Sequence, residues 1–393
     1  MNDRRKPILY IIAGEDSGDR LGGALMSALI QKTGGNIEFT GIGGTKMTAQ
    51  GLDSLFPIED LAVMGLTEVV SRLPKLLQRI EITVKDVVKK NPSALITIDA
   101  PDFNFRVAKK LKDSEIPLIH YVAPTVWAWR PGRAYKVAQF LDHLLTILPF
   151  EAPYFKKYGL DTTYVGHPVL QNDAETGDPL RLRNQLNIDL NRPILTVLPG
   201  SRTVECSHML PIFADVVHML KNHIDNFDVI IPVVSSVKEQ VIKNVADWKV
   251  QTHILDSDQS KFDAFAATRL ALATSGTVAL ELAISGTPAV IGYRVAPITA
   301  FLAKHLVATK YVNLVNILLE REAVPEFVLE QCRAELILNA CLSIWNSNYL
   351  QSQQKEAYQH ALKKFELTKN DLEFRAADTV LSVIKEKNSR DKT

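Results

Sequence analysis

The 393-residue sequence is poor in cysteine, in long apolar runs and in excess charge of either sign, and each shortage excludes a class of protein. Its three cysteines, Cys206, Cys332 and Cys341, form no CxxC pair and are too few for a disulfide framework, which predicts core thiols in a reducing compartment. No apolar stretch reaches the ~18 residues that a membrane-spanning helix needs. The 45 basic and 44 acidic residues nearly cancel, so nucleic acid is not an expected partner and any charged recognition surface must be local.

The N-terminus carries a basic cluster before an apolar run, a combination that can mimic a short signal peptide. Arg4, Arg5 and Lys6 precede apolar residues 7–14, but acidic residues follow at once and no small-residue cleavage pattern is present. We therefore expect a cytoplasmic protein that is soluble or peripheral to a membrane.

Short apolar runs ending in Gly or Asp alternate with longer helical segments, which is typical of parallel strands connected by helices. The alternation occurs twice, separated by the polar stretch 171–179, and 46% hydrophobic residues suffice for two cores. The fold class is predicted to be α/β, with domains at 1–168 and 169–350 and C-terminal helices at 351–393 that pack across domains or onto a partner subunit. The predicted strands are Ile8–Ala13, Ile37–Ile42, Ala94–Ile98, Leu118–Val122, His143–Leu148, Ile194–Leu198, Val229–Val234, Thr252–Leu255, Leu270–Ala273 and Ala289–Tyr293. Two doubly wound domains that face each other form a cleft at the carboxyl ends of their strands, where such sheets bind ligands.

Two strand-end loops of the second half have the residues of a diphosphate site. The segment Ser275-Gly276-Thr277 separates a strand from a helix whose unpaired N–H groups suit an anion, and Glu281 follows one turn later, where it could accept ribose hydroxyls. An ordinary Ser/Thr cap with a solvated Glu explains this segment equally well. The loop Gly200-Ser201-Arg202 offers a close backbone approach and a guanidinium for phosphate, although a glycine turn at a strand end is also common in purely structural roles.

The loops of the first half suit a sugar acceptor and a proton transfer. Ser17, Gly18 and Asp19 follow the first strand in a turn too acidic for a diphosphate, which favours a hydroxyl-rich sugar. Asp99 follows the end of another strand and is our candidate general base. Asp102 is predicted to be the N-cap of the next helix. A loop aspartate is as often structural.

A fifth loop combines tryptophans and arginines. Its residues Trp127, Trp129, Arg130 and Arg133 suit contact with a sugar or acyl chain beside a phosphate. An aromatic plug in the core is the alternative, and if the loop is extended the two tryptophans point in opposite directions.

An amphipathic stretch follows residue 65. Apolar residues recur at helical spacing with Arg72, Lys75 and Arg79 between them, as in a helix that lies at a membrane interface, although such a stripe is more often core and Pro74 makes a continuous helix doubtful. The candidate membrane-facing residues are Leu66, Val69, Val70, Leu73, Leu76 and Leu77.

These motifs together resemble those of the bacterial lipid-A-disaccharide synthase family over nearly the whole chain. The matching segments are AGEDSGD from Ala13, GIGGTKM from Gly41, IDAPDFN from Ile98, WAWRPGR from Trp127, LPFE from Leu148, VGHP from Val165, LPGSR from Leu198 and SGT with Glu281. Three positions depart from the family pattern: Asp16 stands where many relatives carry Ala, Val315 replaces Pro, and Leu329 replaces Gln.

The resemblance implies a GT-B fold of two Rossmann-like domains facing a cleft, with C-terminal helices returning to the first domain. It implies an inverting, metal-independent transfer of 2,3-diacylglucosamine from UDP to 2,3-diacylglucosamine 1-phosphate (lipid X) at the cytoplasmic face of the inner membrane, with no cofactor. Asp99 would be the base and Arg202 would stabilise the departing UDP. Tyr293 and Asn316 match the remaining donor-side segments, where the Asn316 amide could read uracil or phosphate. A homodimer that exchanges C-terminal segments is also implied.

Two functions of other kinds fit part of the pattern. A UDP-sugar epimerase, or a glycosyltransferase with a soluble acceptor, would need only the Ser275–Glu281 constellation, and the amphipathic stretch and the tryptophan loop argue against it. A non-catalytic nucleotide-sugar sensor would keep the phosphate loops but need no base. A dehydrogenase is disfavoured because no GxGxxG follows the first strand.

Overall fold

A computed structural model of the protein describes residues 6–61, 66–128, 130–295, 309–367 and 369–390. The chain divides into two compact units. The first comprises residues 1–168 together with 367–393, and the second comprises residues 169–366. Each unit is built around its own parallel sheet.

The first unit is a seven-stranded parallel sheet with helices between its strands. Its strands are β1 (Ile8–Ala13), β2 (Glu38–Ile42), β3 (Asp53–Ser54), β4 (Ala94–Ile98), β5 (Leu118–Tyr121), β6 (His143–Thr146) and β7 (Asp161–Tyr164). Its helices are α1 (Asp16–Thr33), α2 (Thr45–Thr48), α3 (Leu66–Lys90), α4 (Pro101–Lys110), α5 (Arg133–Ala138) and α6 (Ala152–Lys156), with a 3-10 turn at Ile58–Asp60.

The strand order of this sheet is β3-β2-β1-β4-β5-β6-β7. Connections run one way from β1 and the other way from β4, so the order reverses between these two neighbouring strands. In an open parallel sheet this reversal leaves a crevice at the carboxyl ends of the strands, where ligands bind. The strand β4 is buried along its whole length because helices cover both faces of the sheet.

The second unit repeats this plan with six strands. Its strands are β8 (Ile194–Leu198), β9 (Asp228–Pro232), β10 (Thr252–Leu255), β11 (Leu270–Ala273), β12 (Ala289–Tyr293) and β13 (Glu326–Val328). Its helices are α7 (Pro179–Leu186), α8 (Thr203–Lys221), α9 (Lys238–Val245), α10 (Asp258–Ala267), α11 (Val278–Ile284), α12 (Leu314–Leu319), α13 (Ala334–Trp345) and α14 (Asn348–Lys363). Short 3-10 turns lie at Pro168–Gln171, Ala174–Thr176, Ser235–Val237 and Leu329–Gln331. The order β10-β9-β8-β11-β12-β13 reverses between β8 and β11.

The predicted C-terminal segment is divided between the two units. The helix α14 packs within the second unit, where Gln354 accepts a hydrogen bond from the backbone N–H of Ala289 and donates one to its carbonyl. The last helix, α15 (Lys369–Arg390), packs on α1 of the first unit and buries Ala377 and Val380 in its core. An ion pair of 2.9 Å between Lys32 and Asp378 also joins α15 to α1.

The prediction of an α/β chain with two doubly wound parallel sheets is confirmed, and all ten predicted strands are present within a few residues of their expected ends. The short strands β3, β7 and β13 were not predicted. The doubt about Pro74 was wrong, because α3 runs continuously from Leu66 to Lys90 with Pro74 inside it. No helix in the described ranges is both long enough and apolar enough to cross a bilayer.

Candidate active site

The two loops at the switch point of the first sheet meet through a side-chain hydrogen bond. Ser17 follows β1, Asp99 follows β4, and the Ser17 Oγ donates to the Asp99 Oδ2 at 3.1 Å. The Asp99 side chain is half-buried and that of Ser17 is exposed. The predicted base therefore lies at the carboxyl edge of the sheet, with one oxygen already oriented by a hydroxyl.

The backbone that carries Asp99 is strained and tightly held. Asp99 and Ala100 both have left-handed φ angles, 50° and 40°, which non-glycine residues rarely adopt in succession. Asn104, in the first turn of α4, donates from its Nδ2 to the carbonyls of Ile98 and Asp99 at 3.0 and 2.7 Å. These two bonds hold the left-handed turn in place. A Cβ at Gly14 would lie 2.4 Å from the Ala100 Cβ, so only glycine allows the two loops to approach this closely. The carboxylate is held in place before any ligand arrives.

The Asp19 carboxylate, which we predicted to lie on the sugar side, bonds to the backbone of a neighbouring loop. Its side chain is 4% exposed and accepts backbone N–H groups from Gly44 at 2.7 Å, Lys46 at 2.9 Å and Met47 at 3.1 Å. These bonds cap the short helix α2 and join the AGEDSGD and GIGGTKM segments. The geometry gives the Asp19 carboxylate an anchoring role, whereas Ser17 is exposed on the same turn, as are Glu15 and Asp16. Gly18, its neighbour, is buried.

The tryptophan loop is tied to the sheet through a buried carboxyl that sequence reasoning passed over. The half-buried Trp127 donates its Nε1–H to the Glu151 Oε1 at 3.2 Å. The Glu151 Oε2 accepts the N–H groups of Ile147 and Leu148 at 3.2 and 2.9 Å. Burial raises the pKa of Glu151 to about 7, although these donors act against the shift. The LPFE motif could have indicated this role, because it places a charged Glu directly after an apolar run. The predicted Trp129 lies outside the described residues.

The two arginines of this loop differ in their surroundings. Arg130 is exposed and has a left-handed φ of 53°. The half-buried Arg133 lies over the Phe105 ring, 5.5 Å from its centroid, and 3.7 Å from the Asp102 carboxylate. The Asp102 side chain is 96% exposed. The prediction that Asp102 caps α4 was wrong: the cap position is Ala100 and no side chain bonds there, because the left-handed turn at Asp99 and Ala100 starts the helix instead.

The two predicted phosphate loops lie side by side at the switch point of the second sheet. Leu198 at the end of β8 is paired with Ala273 at the end of β11, and the Thr274 N–H donates to the Leu198 carbonyl at 2.9 Å. Gly200 turns the first loop with a φ of 118°. The exposed Arg202 lies 3.1 Å from Glu205.

In the second loop, the end before α11 is open to solvent. Gly276 and Thr277 are exposed, and a Cβ at Gly276 would meet nothing within 4 Å. The Ser275 Oγ donates to the Val312 carbonyl at 2.8 Å, which fixes the loop from one side. The N–H groups of Ala279 and Leu280 bond to the carbonyls of Gly276 and Thr277 at 3.1 and 3.0 Å, so the amides placed to meet an anion are those of the exposed loop before α11.

Glu281 lies on α11 and is held by two side chains that sequence reasoning did not single out. It is 9% exposed, and its Oε1 accepts from the Lys261 Nζ at 3.0 Å and from the Asn172 Nδ2 at 3.1 Å. The carboxylate is thus oriented one turn below the exposed loop. No spacing in the sequence pairs Lys261 or Asn172 with Glu281, because only the fold brings them together.

Of the remaining donor-side predictions, the structure supports a position at the sheet edge for Tyr293 but not a free amide for Asn316. Tyr293 ends β12, next to β11, and its pKa is raised by burial and by the Glu205 carboxylate, against the opposing charge of Arg202. Asn316 is 0% exposed. Its Nδ2 donates to the Val324 carbonyl and to Glu326, and its Oδ1 accepts the N–H groups of residues 323 and 324. The Asn316 amide therefore closes its own loop and has no capacity left to read uracil or phosphate.

The candidate membrane-facing stripe is described only in part. The side chains of Leu66, Val69, Val70 and Leu73 lie outside the described residues. Leu76 is partly buried against the core, and Leu77 is 46% exposed. In the part of the chain that the structure covers, no cluster of three or more His, Cys, Asp or Glu is arranged to hold a metal.

Comparison with known proteins identifies relatives along almost the whole chain. The family model described as lipid-A-disaccharide synthetase matches residues 9–381. A lipid-A-disaccharide synthase of Rhodospirillum centenum is 47% identical over 382 residues, which are 96% of this chain and 95% of that protein. The enzyme of the same name from Paramagnetospirillum magneticum is 42% identical over 383 residues, covering 96% of this chain and 98% of that protein.

Solved structures with low sequence identity share the fold. MurG of Acinetobacter baumannii aligns with a TM-score of 0.53 at 12% identity, over 92% of this chain and 98% of that one. UDP-GlcNAc 2-epimerase from Neisseria meningitidis, solved with UDP-GlcNAc bound, aligns with a TM-score of 0.57 at 10% identity, over 96% of this chain and 99% of that one. The two-sheet architecture is therefore that of the GT-B glycosyltransferases and related epimerases.

Proposed function

The chain belongs to the lipid-A-disaccharide synthase family, and from this premise we propose that it transfers 2,3-diacylglucosamine from its UDP carrier to the 6-hydroxyl of 2,3-diacylglucosamine 1-phosphate. The products are the β-1',6-linked disaccharide 1-phosphate and UDP. The observation that carries the proposal is that each sheet has, at its switch point, the kind of loop that one half of this reaction requires. The first sheet presents an oriented carboxylate, and the second presents open backbone amides beside an arginine.

The proposed chemical step is a single displacement with Asp99 as the base. The ionised Asp99 carboxylate takes the proton of the acceptor 6-hydroxyl as its oxygen forms a bond to the anomeric carbon of the donor. The bond from that carbon to the UDP oxygen breaks on the opposite face, and the configuration inverts. The Ser17 hydroxyl donates to the Asp99 Oδ2 at 3.1 Å, so the Oδ1 is proposed as the oxygen that accepts the proton.

The departing UDP carries the charge that develops in this step. The loop Ser275–Thr277 offers backbone N–H groups, and Gly200, Ser201 and Arg202 offer further donors from the neighbouring strand end. We propose that these donors stabilise the developing charge in place of a metal, with Arg202 exchanging its contact with Glu205 for the diphosphate. Glu281 is proposed to accept the ribose hydroxyls with its Oε2, because the Oε1 is occupied by Lys261 and Asn172. Tyr293 borders the same edge.

The acceptor is proposed to lie against the first unit. Ser17 and Gly18 border the sugar, Trp127 supplies an aromatic surface, and Arg130 and Arg133 supply positive charge. The acyl chains require that the enzyme meets its substrates at a bilayer surface, which we propose to be the cytoplasmic face of the inner membrane. The partly exposed Leu77 on α3 belongs to the stripe proposed for this contact.

The test is turnover in detergent with EDTA present. Wild-type protein is given UDP-2,3-diacylglucosamine and either 2,3-diacylglucosamine 1-phosphate or its acyl-free, water-soluble counterpart. The proposal requires disaccharide and UDP in equal amounts from the acylated acceptor and little product from the acyl-free one. UDP release without disaccharide, or equal use of both acceptors, would contradict it.

A further inference from the structure

A groove of about 510 Å³ lies between α4 and α5 of the first unit, and the function proposed above uses only its edge. It begins at Pro101, two residues after Asp99, and runs along α4 to Lys112, two residues beyond the end of that helix. Pro101 and Arg106 are five residues apart, which corresponds to about 8 Å along a helix. That distance is comparable to the span of one sugar ring with its substituents.

The charge of this groove is strongly positive. Its lining includes five cations, Arg106, Lys109, Lys112, Arg133 and Lys136, and one carboxylate, that of Asp102. The whole chain has a formal net charge of only +1, so this groove is a local concentration of positive charge. Among the described residues, no carboxylate lies within ion-pair distance of Arg106, Lys109 or Lys136. An anion that enters the groove therefore meets cations not already engaged by a protein carboxylate.

The floor of the groove is aromatic. Phe105 and Phe140 pack edge to face with their centroids 5.5 Å apart, and Tyr135 at the rim is 54% exposed. The Arg133 guanidinium lies over the Phe105 ring. Cations around an aromatic floor fit a ligand that is anionic at one point and apolar beside it.

We infer that this groove binds the phosphate monoester of the acylated acceptor while the acceptor hydroxyl lies at Asp99. The inference rests on the proposed function and names the determinant by which the enzyme selects a phosphorylated acceptor. A phosphate monoester carries a charge of about −1.5 to −2 at neutral pH, more than the single charge of a phosphodiester lipid, and so matches the groove better. Arg106 and Lys109 are three residues apart on one face of α4, where both can reach one phosphate.

The test compares two acceptors with two variants of equal charge change. Arg106→Ala with Lys109→Ala removes two groove cations, and Lys89→Ala with Lys90→Ala removes two exposed lysines at the end of α3. Each protein is assayed with 2,3-diacylglucosamine 1-phosphate and with the same acceptor lacking its phosphate. Binding of dodecyl phosphate in a non-ionic detergent and sedimentation with phosphatidylglycerol vesicles are measured in parallel.

The groove variant should lose about 10- to 100-fold in kcat/KM with the phosphorylated acceptor, through KM, because each charge-assisted hydrogen bond contributes about tenfold. It should keep the wild-type kcat/KM with the dephosphorylated acceptor, and the control variant should match wild type with both. A parallel loss with both acceptors would overturn the inference. So would unchanged selection of the phosphorylated acceptor together with lost vesicle binding, which would assign the groove to the bilayer surface.

The result also separates this inference from the proposed function. If the wild type makes no disaccharide, the proposed function fails, and the groove is judged on dodecyl phosphate alone. Equal affinity of wild type and groove variant for that probe would then overturn the inference, whereas at least tenfold weaker binding by the variant would support it.

Discussion

Asp19 provides a test of whether an acid in a predicted substrate loop contacts the substrate or stabilises the fold. Its buried carboxylate accepts three backbone N–H groups, those of Gly44, Lys46 and Met47. Asp19→Ala leaves these donors without their acceptor in a site that water reaches poorly. Loss of a capping side chain costs about 0.5–2 kcal/mol, and an unpaired buried donor costs about 1–3 kcal/mol.

The expected destabilisation from Asp19→Ala is therefore about 2–4 kcal/mol, confined to the first unit. Asp19→Asn keeps one acceptor oxygen but opposes its own N–H₂ to a backbone N–H, and should cost about half as much. Hydrogen exchange measured by mass spectrometry reports this locally. Since 1.4 kcal/mol is a factor of ten, protection of peptides that cover residues 38–54 should fall about 30-fold to several hundred-fold in the Ala variant.

The matched control is Asp16→Ala, which removes an exposed acid from the same turn. It should leave the exchange of residues 38–54 unchanged. If Asp19→Ala also leaves exchange and thermal stability at the wild-type level while turnover disappears, the anchoring role is refuted and Asp19 contacts the substrate instead.

Three further changes have expected outcomes. The Glu151 pKa of about 7 exceeds its ordinary 4.5, so the unfolded chain releases this proton first and stability should fall by about 3 kcal/mol as pH rises from about 4.5 to about 7. Glu151→Gln should reduce this dependence of the free energy of unfolding on pH, measured by denaturant titration at each pH. An unchanged pH dependence would show that Glu151 is not its source. Gly41→Ala should lower the free energy of unfolding by about 3 kcal/mol, because Gly41 has a φ of 138° and the new Cβ would lie 2.0 Å from the Ile11 carbonyl oxygen. A variant that melts at the wild-type temperature would contradict this packing. Lys261→Met should raise KM for the UDP-sugar about fivefold with kcat unchanged, because Glu281 loses a charge-assisted hydrogen bond. Steady-state kinetics that give an unchanged KM would show that Lys261 does not support donor binding.

The central strands could be predicted because their signal is strong. Runs such as Ala94–Ile98 are buried on both faces of a sheet, so they appear in the sequence as uninterrupted apolar segments between turn residues. The missed strands are short and lie at sheet edges: Asp53–Ser54, Asp161–Tyr164 and Glu326–Val328. These three strands have few apolar residues, so hydrophobic periodicity does not reveal them, unlike the edge strand β10.

The positions of the site loops could also be predicted, because functional loops of parallel sheets follow strand ends. The duties of single side chains within them could not. Asp19 and Asp99 both look like exposed loop acids in the sequence, yet one caps α2 and the other lies at the switch point. Asn316 had an amide suited to a nucleobase, and only the fold shows that its own loop uses all of it. Such duties depend on partners 7 to 82 residues away that spacing does not specify.

The most direct test of the central claim is single-turnover kinetics of Asp99→Asn against Asp16→Asn, a matched control from the neighbouring loop. The account predicts that Asp99→Asn binds UDP and folds like wild type but forms disaccharide at least 100-fold more slowly, because general-base catalysis contributes about 10²–10⁴-fold. Asp16→Asn should keep the wild-type rate. An Asp99→Asn enzyme that forms disaccharide at the wild-type rate would show that the oriented carboxylate at the first switch point is not the base.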